Sequence, residues 1–312
     1  MGRQKTGDEF RTSRRQVLRV GAAGLGALIA PAVIGVRRAS AAAAPQETTI
    51  DRIKRTGVFN LGVRDADPPY GFLDNNKHVG FSTEIAERVH DRMENELKGT
   101  VKLNYVTVTS RTRIPLLLNG TVDMEAGATV ITKDRVKVVD FSIPFFMTTS
   151  YLIVPADSPI QRVADVSGKR LGGPRGGLQE MLFTKKLQAQ GTFRSPVRYI
   201  GFENPSEGFT ALQGGSVDGY TNDGPLVYGL LKSTPDQSKW RVFDLGVDVS
   251  PQAFPIRQYS SSFATLINLT IVDLCEGGRW QELYQKYFVP AGLPKESDET
   301  LKFLVRMNSW SD

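Results

Sequence analysis

Short hydrophobic runs alternate with amphipathic stretches along this chain from about residue 49 onward. VFNLGVR (58–64), VKLNYVTV (101–108) and TVDMEAG (121–127) have the composition of strands. FSTEIAERVHDRM (81–93) carries apolar residues four positions apart, on one helical face: Phe81, Ile85, Val89 and Met93. RIPLLLNG predicts a short helix that stops at Asn119-Gly120. Strands that alternate with helices predict an α/β fold with a parallel sheet.

The same alternation restarts after an extended run, YLIVPADSPI (151–160). Strand, Gly-rich turn and helix are predicted over 163–190, followed by strand, helix and strand over 197–224. A second extended run, 250–261, leads into one long helix or a broken pair over 263–288. Two α/β passes joined by two crossings predict two lobes, 42–149 with 251–312 and 150–250, with a cleft between them.

The first 41 residues have the layout of an export leader. A charged start precedes a Gly/Ala-rich apolar run over 20–36 and an Ala-Ser-Ala exit at 39–41. SRRQVL (13–18) resembles the twin-arginine motif, which predicts export across a bacterial inner membrane into the periplasm. An uncleaved anchor is the alternative, but Pro31 and several glycines interrupt a run that is short for a membrane span.

The location of charge changes the meaning of a basic net charge of +6. Eight basic and two acidic residues lie before Ala42, and the remaining 31 basic and 31 acidic side chains balance. The mature chain therefore shows no basic excess that would favour nucleic acid.

Few residues suit a metal centre or a nucleophilic triad. Cys275 is the only cysteine and lies among apolar residues at helical spacing, which indicates a buried thiol. His78 and His90 have no cysteine or second histidine at ligand spacing. We therefore expect no metal and no cofactor.

Ligands of open α/β sheets bind beyond the carboxyl ends of strands, so the loops there hold the candidate site. The loops after the predicted strands carry up to four arginines against one clear carboxylate. The candidate ligand-binding residues are Arg64, Ser110, Arg113, Ala128, Thr129, Arg135, Arg175, Gly176, Gly177 and Asp223.

A free acidic amino acid needs this combination of groups. Arg135 and Thr129 would hold the α-carboxylate, and Asp223 would hold the ammonium. Arg64 and Arg113, with no protein carboxylate assigned to them, would take the side-chain carboxylate together with Ser110. The turn LGGPRGGLQE lacks the spacing of a nucleotide site, so we interpret it either as a helix N-terminus open to a carboxylate or as a plain turn.

The run TSRTRIPLLLNGTVDMEAGATVITKDRVKVVDFSIPF resembles the solute-binding proteins, family 3, of polar amino-acid ABC importers. GVRDADPPYGFLDNN and VPAGLPKESDETLKFL resemble the glutamate/aspartate-binding group within it. The resemblance implies a type II periplasmic binding fold, two crossing strands as a hinge, and the ligand contacts proposed above. It also implies a monomer that delivers its ligand to a membrane permease.

Three departures from that group bear on the ligand. Ala128 stands where a serine is usual, Gly176-Gly177-Leu178 replaces a Gly-Thr-Thr turn, and a histidine is replaced near Asn204 or Pro205. Another polar amino acid or a dicarboxylate therefore stays open as the ligand.

Two other classes of protein share this fold. An exported dehydratase would need an acid or base in the cleft, for which Glu125 or Asp65 could be offered. A receptor's sensor domain would need a membrane span and a signalling module, which the sequence does not show after the second lobe. We expect a binding protein rather than an enzyme.

Overall fold

The computed structural model describes residues 47–310, so the predicted leader lies outside the described residues. The strands are β1 Val58–Val63, β2 Ala66–Asp67, β3 Gly71–Asp74, β4 Lys77–Val79, β5 Lys102–Thr107, β6 Met124–Ala126, β7 Val139–Phe141, β8 Phe146–Thr148, β9 Ser150–Pro155, β10 Arg170–Pro174, β11 Arg198–Phe202, β12 Gly219–Asp223, β13 Trp240–Asp244, β14 Ser250–Gln252 and β15 Pro255–Arg257. The helices are α1 Thr49–Thr56, α2 Phe81–Leu97, α3 Arg113–Leu118, α4 Leu178–Met181, α5 Leu187–Ala189, α6 Pro205–Gln213, α7 Gly224–Ser233, α8 Ser261–Glu276, α9 Arg279–Tyr287 and α10 Glu299–Met307.

Two five-stranded sheets organise the described chain. The first has the order β5-β1-β6-β15-β7, and the second has the order β11-β10-β12-β9-β13. In each sheet three strands are parallel, β5, β1 and β6 in the first and β11, β10 and β12 in the second. β15 and β9 run antiparallel to their neighbours, so both sheets are mixed, and the predicted parallel arrangement holds for three strands of each.

A short antiparallel pair, β8 with β14, lies where the chain passes between the two sheets. Thr148 pairs with Ser250, and Phe146 pairs with Gln252. β9 begins directly after this pair and enters the second sheet, and β14 returns the chain to the first. The two extended crossings predicted from the sequence correspond to these segments.

Apolar faces of the helices cover both sheets. Helix α2 buries the four residues predicted to share a face, Phe81, Ile85, Val89 and Met93. The apolar core of the first sheet contains an aromatic cluster. The ring centroids of Phe81, Phe146 and Phe288 lie 4.6 to 5.8 Å apart in it. Cys275 of α8 is buried in the same core, as predicted. Separate apolar clusters cover the two faces of the second sheet.

Several elements were absent from the sequence prediction. The small sheet β2-β3-β4, the edge strand β13, and helices α1, α7 and α10 were all missed. Helix α7 begins with Gly224-Pro225, residues that ordinarily indicate a turn, and it packs on β12 and β9. The long C-terminal pattern is a broken pair, because the chain turns at Gly278 with φ 71°.

Within the described residues, no helix is both long enough and apolar enough to cross a membrane.

Candidate ligand-binding site

A small polar cavity, with an interior volume of about 20 Å³, lies where the carboxyl ends of strands from both sheets meet. This interior has room for about one water molecule. Its lining comes from the loops after β1, β5, β6, β10, β11 and β12. The lining residues are Arg64, Asp67, Ser110, Arg113, Ala128, Val130, Arg135, Pro174, Gly177, Leu178, Gln179, Glu203, Asn204, Pro205, Asn222, Asp223 and Leu226.

Seven of the ten candidate residues line this cavity, and Thr129, Arg175 and Gly176 do not. Thr129 lies between Ala128 and Val130, whose side chains face the cavity. Alternate residues of an extended segment point to opposite sides, and the Thr129 hydroxyl accordingly donates to Glu125 Oε2 at 2.5 Å. The side chain expected to bind a carboxylate is thus turned into the protein, and an apolar Val130 takes the cavity face.

The Gly-rich turn is already occupied by groups of this chain. Gly176 N donates to Glu180 Oε2 at 2.6 Å, so that amide is not free for a ligand carboxylate. Helix α4, which follows, continues directly into a π-helical segment, Leu182–Lys186, and then into α5. Of the two interpretations offered from the sequence, the occupied Gly176 amide favours the plain turn, and Gly177 is the only glycine of the turn on the cavity lining.

Arg64 has a carboxylate partner that the sequence prediction missed. Its Nε donates to Asp67 Oδ2 at 2.6 Å, and its Nη1 donates to the Val108 carbonyl at 3.1 Å. Both side chains are buried. Burial opposes the charge of Arg64, but the Asp67 carboxylate keeps its pKa above the usual value. The expectation that Arg64 has no carboxylate assigned to it was therefore wrong.

Arg113 is a buried guanidinium with unused donors. It is only 4% exposed, and among the described residues it donates no side-chain hydrogen bond. Glu125 is its nearest carboxylate, 4.0 Å from Arg113 Nη1 to Oε1, at the outer limit of an ion pair. Burial lowers the pKa of Arg113, with Glu125 opposing that shift. A group of this kind is stabilised by an anion that enters the cavity.

Arg135 crosses the cavity mouth without a carboxylate partner in the described part of the chain. Its Nη1 donates to the Val130 carbonyl at 2.7 Å, and its Nη2 donates to the Gly176 carbonyl at 3.4 Å. Burial and the neighbouring Arg113 lower the pKa of Arg135 to about 9. Both carbonyl contacts are neutral, so the positive charge of Arg135 stays uncompensated by protein.

Asp223, at the end of β12, is the matching uncompensated anion. Two side-chain amides hold its carboxylate, Gln179 Nε2 at 2.9 Å and Gln252 Nε2 at 2.8 Å. No ion pair to a basic side chain is formed by Asp223 within residues 47–310. Burial raises the pKa of Asp223 to about 6. Gln179 and Gln252 were not foreseen, since nothing in the spacing of either glutamine connects it with Asp223 before folding.

No group of three or more His, Cys, Asp or Glu that could hold a metal ion occurs among the described residues. Two α/β lobes with a polar cavity between their strand ends define a two-lobe periplasmic binding protein of type II. The model for bacterial extracellular solute-binding proteins, family 3, matches residues 59–290, and the chain belongs to this family.

Individual relatives differ in the ligand that they are named for. The chain is 30% identical over 277 residues to the L-glutamate/L-aspartate-binding protein of Pseudomonas aeruginosa, covering 86% of this chain and 89% of that protein. It is 33% identical over 200 residues to a glutamine-binding protein of Geobacillus stearothermophilus, covering 63% and 71%. The L-cysteine receptor of Neisseria gonorrhoeae has a similar fold, with a TM-score of 0.71 at 24% identity over 81% of this chain and 98% of that one.

Proposed function

We propose that this chain is the substrate-binding component of an amino-acid ABC importer and that it captures glutamate or aspartate. The observation that carries the proposal is the set of uncompensated charges around one cavity. Arg113 and Arg135 lack a close carboxylate among the described residues, and Asp223 lacks a cation. An acidic amino acid brings two carboxylates and one ammonium, which is the complementary set.

Each charged group of the ligand has a protein partner in this arrangement. Asp223 receives the ammonium, and Arg135 receives the α-carboxylate at the mouth. Arg113 receives the side-chain carboxylate, with the Ser110 hydroxyl as an additional donor on the same lining. Arg64 lies on the same lining as one half of an ion pair with Asp67, rather than as a free binding group. Charge-assisted hydrogen bonds of this type are about twice as strong as neutral ones.

Glutamine is the competing ligand, because one relative is named for it and because Glu125 partly offsets Arg113. The guanidinium of Arg113, which lacks a close carboxylate among the described residues, argues against glutamine. A neutral amide oxygen would satisfy its N–H donors less well than a carboxylate. Desolvating a guanidinium beside a neutral group is costly. This argument favours the acidic ligand.

Calorimetric titration of two variants with glutamate and glutamine tests the assignment. Arg113→Met should weaken glutamate far more than glutamine, since only glutamate presents a side-chain charge to it. Arg135→Met should weaken both alike, since both share the α-carboxylate. Tighter binding of glutamine or arginine than of glutamate by the wild-type protein would contradict the acidic assignment.

We propose a binding protein rather than an enzyme. The two carboxylates that the sequence offers as general acid or base do not line the cavity. Glu125 is fully buried and accepts from Thr129, and Asp65 accepts from Thr107 at 2.9 Å. A general base must reach the proton that it removes. Incubation with prephenate or arogenate should leave both compounds unchanged.

We propose delivery to an inner-membrane permease after closure of two lobes, 42–149 with 251–312 and 150–250. Within residues 47–310, the chain passes between the two sheets only beside the β8-β14 pair, which is the arrangement of a hinge.

We also propose periplasmic export by the twin-arginine route, on the sequence SRRQVL. Replacing Arg14 and Arg15 with lysine should leave the precursor in the cytoplasm, as detected by fractionation and immunoblotting. A matched change of Arg37 and Arg38 to lysine, outside the motif, serves as the control. Normal export of the Arg14/Arg15 variant would rule out this route.

A further inference from the structure

Glu203 places a carboxylate on the lining of a cavity that, under the proposed function, receives an anionic side chain. We propose that Arg175 is a specificity-determining residue that acts through Glu203. Its guanidinium neutralises the Glu203 carboxylate from outside the cavity, so that an acidic ligand is not repelled. This inference rests on the proposed function and assigns Arg175 a positioning role in place of the direct ligand contact expected from the sequence.

Contacts with β11 hold Arg175 in place for this role. Arg175 Nη1 lies 3.3 Å from Glu203 Oε1, and Arg175 Nη2 donates to the Gly201 carbonyl at 2.9 Å. The backbone N of Arg175 donates to the Phe202 carbonyl at 2.9 Å. The arginine is therefore fixed to the strand that leads into Glu203, and Glu203 rather than Arg175 reaches the cavity lining.

Gly201 makes this placement possible. A Cβ at Gly201 would lie 2.9 Å from Arg175 Cβ and 3.0 Å from its Cα, closer than such atoms ordinarily approach. The arginine thus lies directly across a residue without a side chain. Two positions far apart in sequence cooperate to bring the guanidinium to Glu203.

The charge balance at the cavity explains the effect on selectivity. Asp67 is compensated by Arg64, and Asp223 is reserved for the ammonium. Without Arg175, Glu203 would add one uncompensated negative charge to the lining. That charge opposes a ligand carboxylate and barely affects a neutral amide. Because the Arg175 and Glu203 side chains are 49% and 39% exposed, solvent screens the interaction and its size is small.

The test is a double-mutant cycle on Arg175→Gln and Glu203→Gln, with dissociation constants for glutamate and glutamine measured by calorimetry at low salt. Arg175→Gln should weaken glutamate about two- to fivefold, the size expected for a partly exposed ion pair, and leave glutamine nearly unchanged. Adding Glu203→Gln should restore the wild-type ratio of the two constants. Arg198→Gln is the matched control for net charge, because it removes an exposed arginine of β11, the strand that leads into Glu203. It should leave the ratio unchanged.

Equal weakening of both ligands by Arg175→Gln, without restoration in the double variant, would overturn the inference and indicate a structural role for Arg175. An unchanged ratio in Arg175→Gln would overturn it as well. A wild-type preference for glutamine contradicts the proposed function instead. The shift in ratio still reports on the Arg175–Glu203 pair in that case, so the two failures are distinguishable.

Discussion

Asp223 shows how a single side chain is prepared for a charged ligand. Its carboxylate is buried and held by the amides of Gln179 and Gln252, which fix its orientation without neutralising it. Burial costs such an anion free energy, and the ammonium of an amino acid relieves that cost on binding. The same reasoning applies with opposite sign to Arg135.

Removing the Asp223 charge while keeping its shape tests this role. Asp223→Asn should weaken glutamate by roughly 2–5 kcal/mol, the cost of truncating one member of a buried charge pair. Calorimetry gives the change directly. Glu207→Gln removes an acidic side chain of α6 that accepts a hydrogen bond from Asn204 Nδ2 and does not line the cavity; this variant is a control and should bind normally. Near-normal affinity of Asp223→Asn would place the ammonium elsewhere, with Glu203 the next carboxylate on the lining.

Binding should depend on pH because burial raises the pKa of Asp223 to about 6 in the free protein. An ammonium favours the ionised carboxylate, so the pKa of Asp223 is lower in the complex. Protonation therefore competes with the ligand, and affinity should fall as pH drops from 7.5 through 6 towards 5. The window stays above the usual glutamate side-chain pKa of about 4.3. Asp223→Asn should bind weakly with no such dependence, and a flat wild-type profile would contradict the assignment.

Among the elements, helix α2 depends on an unusual residue at its start. Gly80 is the N-cap with φ 130°, a backbone conformation that side-chain-bearing residues rarely adopt. A Cβ there would overlap the Tyr70 carbonyl and Gly71. After this cap, Phe81 and Ile85 of α2 pack in the same apolar cluster as β1, the strand that precedes Arg64. The start of α2, a helix that packs on β1, therefore requires a glycine.

Two glycines with positive φ, Gly80 and Gly57, allow the cost of steric overlap with Tyr70 to be separated from the cost of backbone strain. Gly80→Ala should destabilise the protein by roughly 2–5 kcal/mol, through strain and overpacking together. Gly57→Ala, with φ 65° and nothing within 4 Å of an added Cβ, should cost only about 1–2 kcal/mol. Urea unfolding followed by circular dichroism measures both. Equal losses in the two variants would show that the contact with Tyr70 contributes nothing.

At the scale of the whole molecule, residues of the two lobes contact each other around the cavity. Arg135 of the first sheet's loops reaches the Gly176 carbonyl of the second, and a Cβ on Gly229 of α7 would lie 3.1 Å from the Pro68 carbonyl. Gln252, at the β8-β14 pair, binds Asp223 of β12. A ligand held by Arg113, Arg135 and Asp223 would strengthen the same set of connections.

Ligand binding should therefore favour the closed arrangement. Small-angle scattering should give a smaller radius of gyration for the wild-type protein with saturating glutamate than without it. Arg135→Met at the same ligand concentration, where it is mostly unliganded, should keep the larger value. An unchanged radius of gyration at saturation in the wild-type protein would show that the lobes do not move.

The sequence by itself determined the alternation of strands and helices, the buried face of α2, and the position of most candidate residues after strand ends. Those features are local, since period and turn chemistry depend on neighbouring residues. Tertiary structure decided which charges stay free. Asp67 compensates Arg64, Thr129 turns to Glu125, Arg175 pairs with Glu203, and glutamines from two distant segments hold Asp223. Such pairings depend on how loops from different strands converge in space, and no spacing along one chain specifies that convergence.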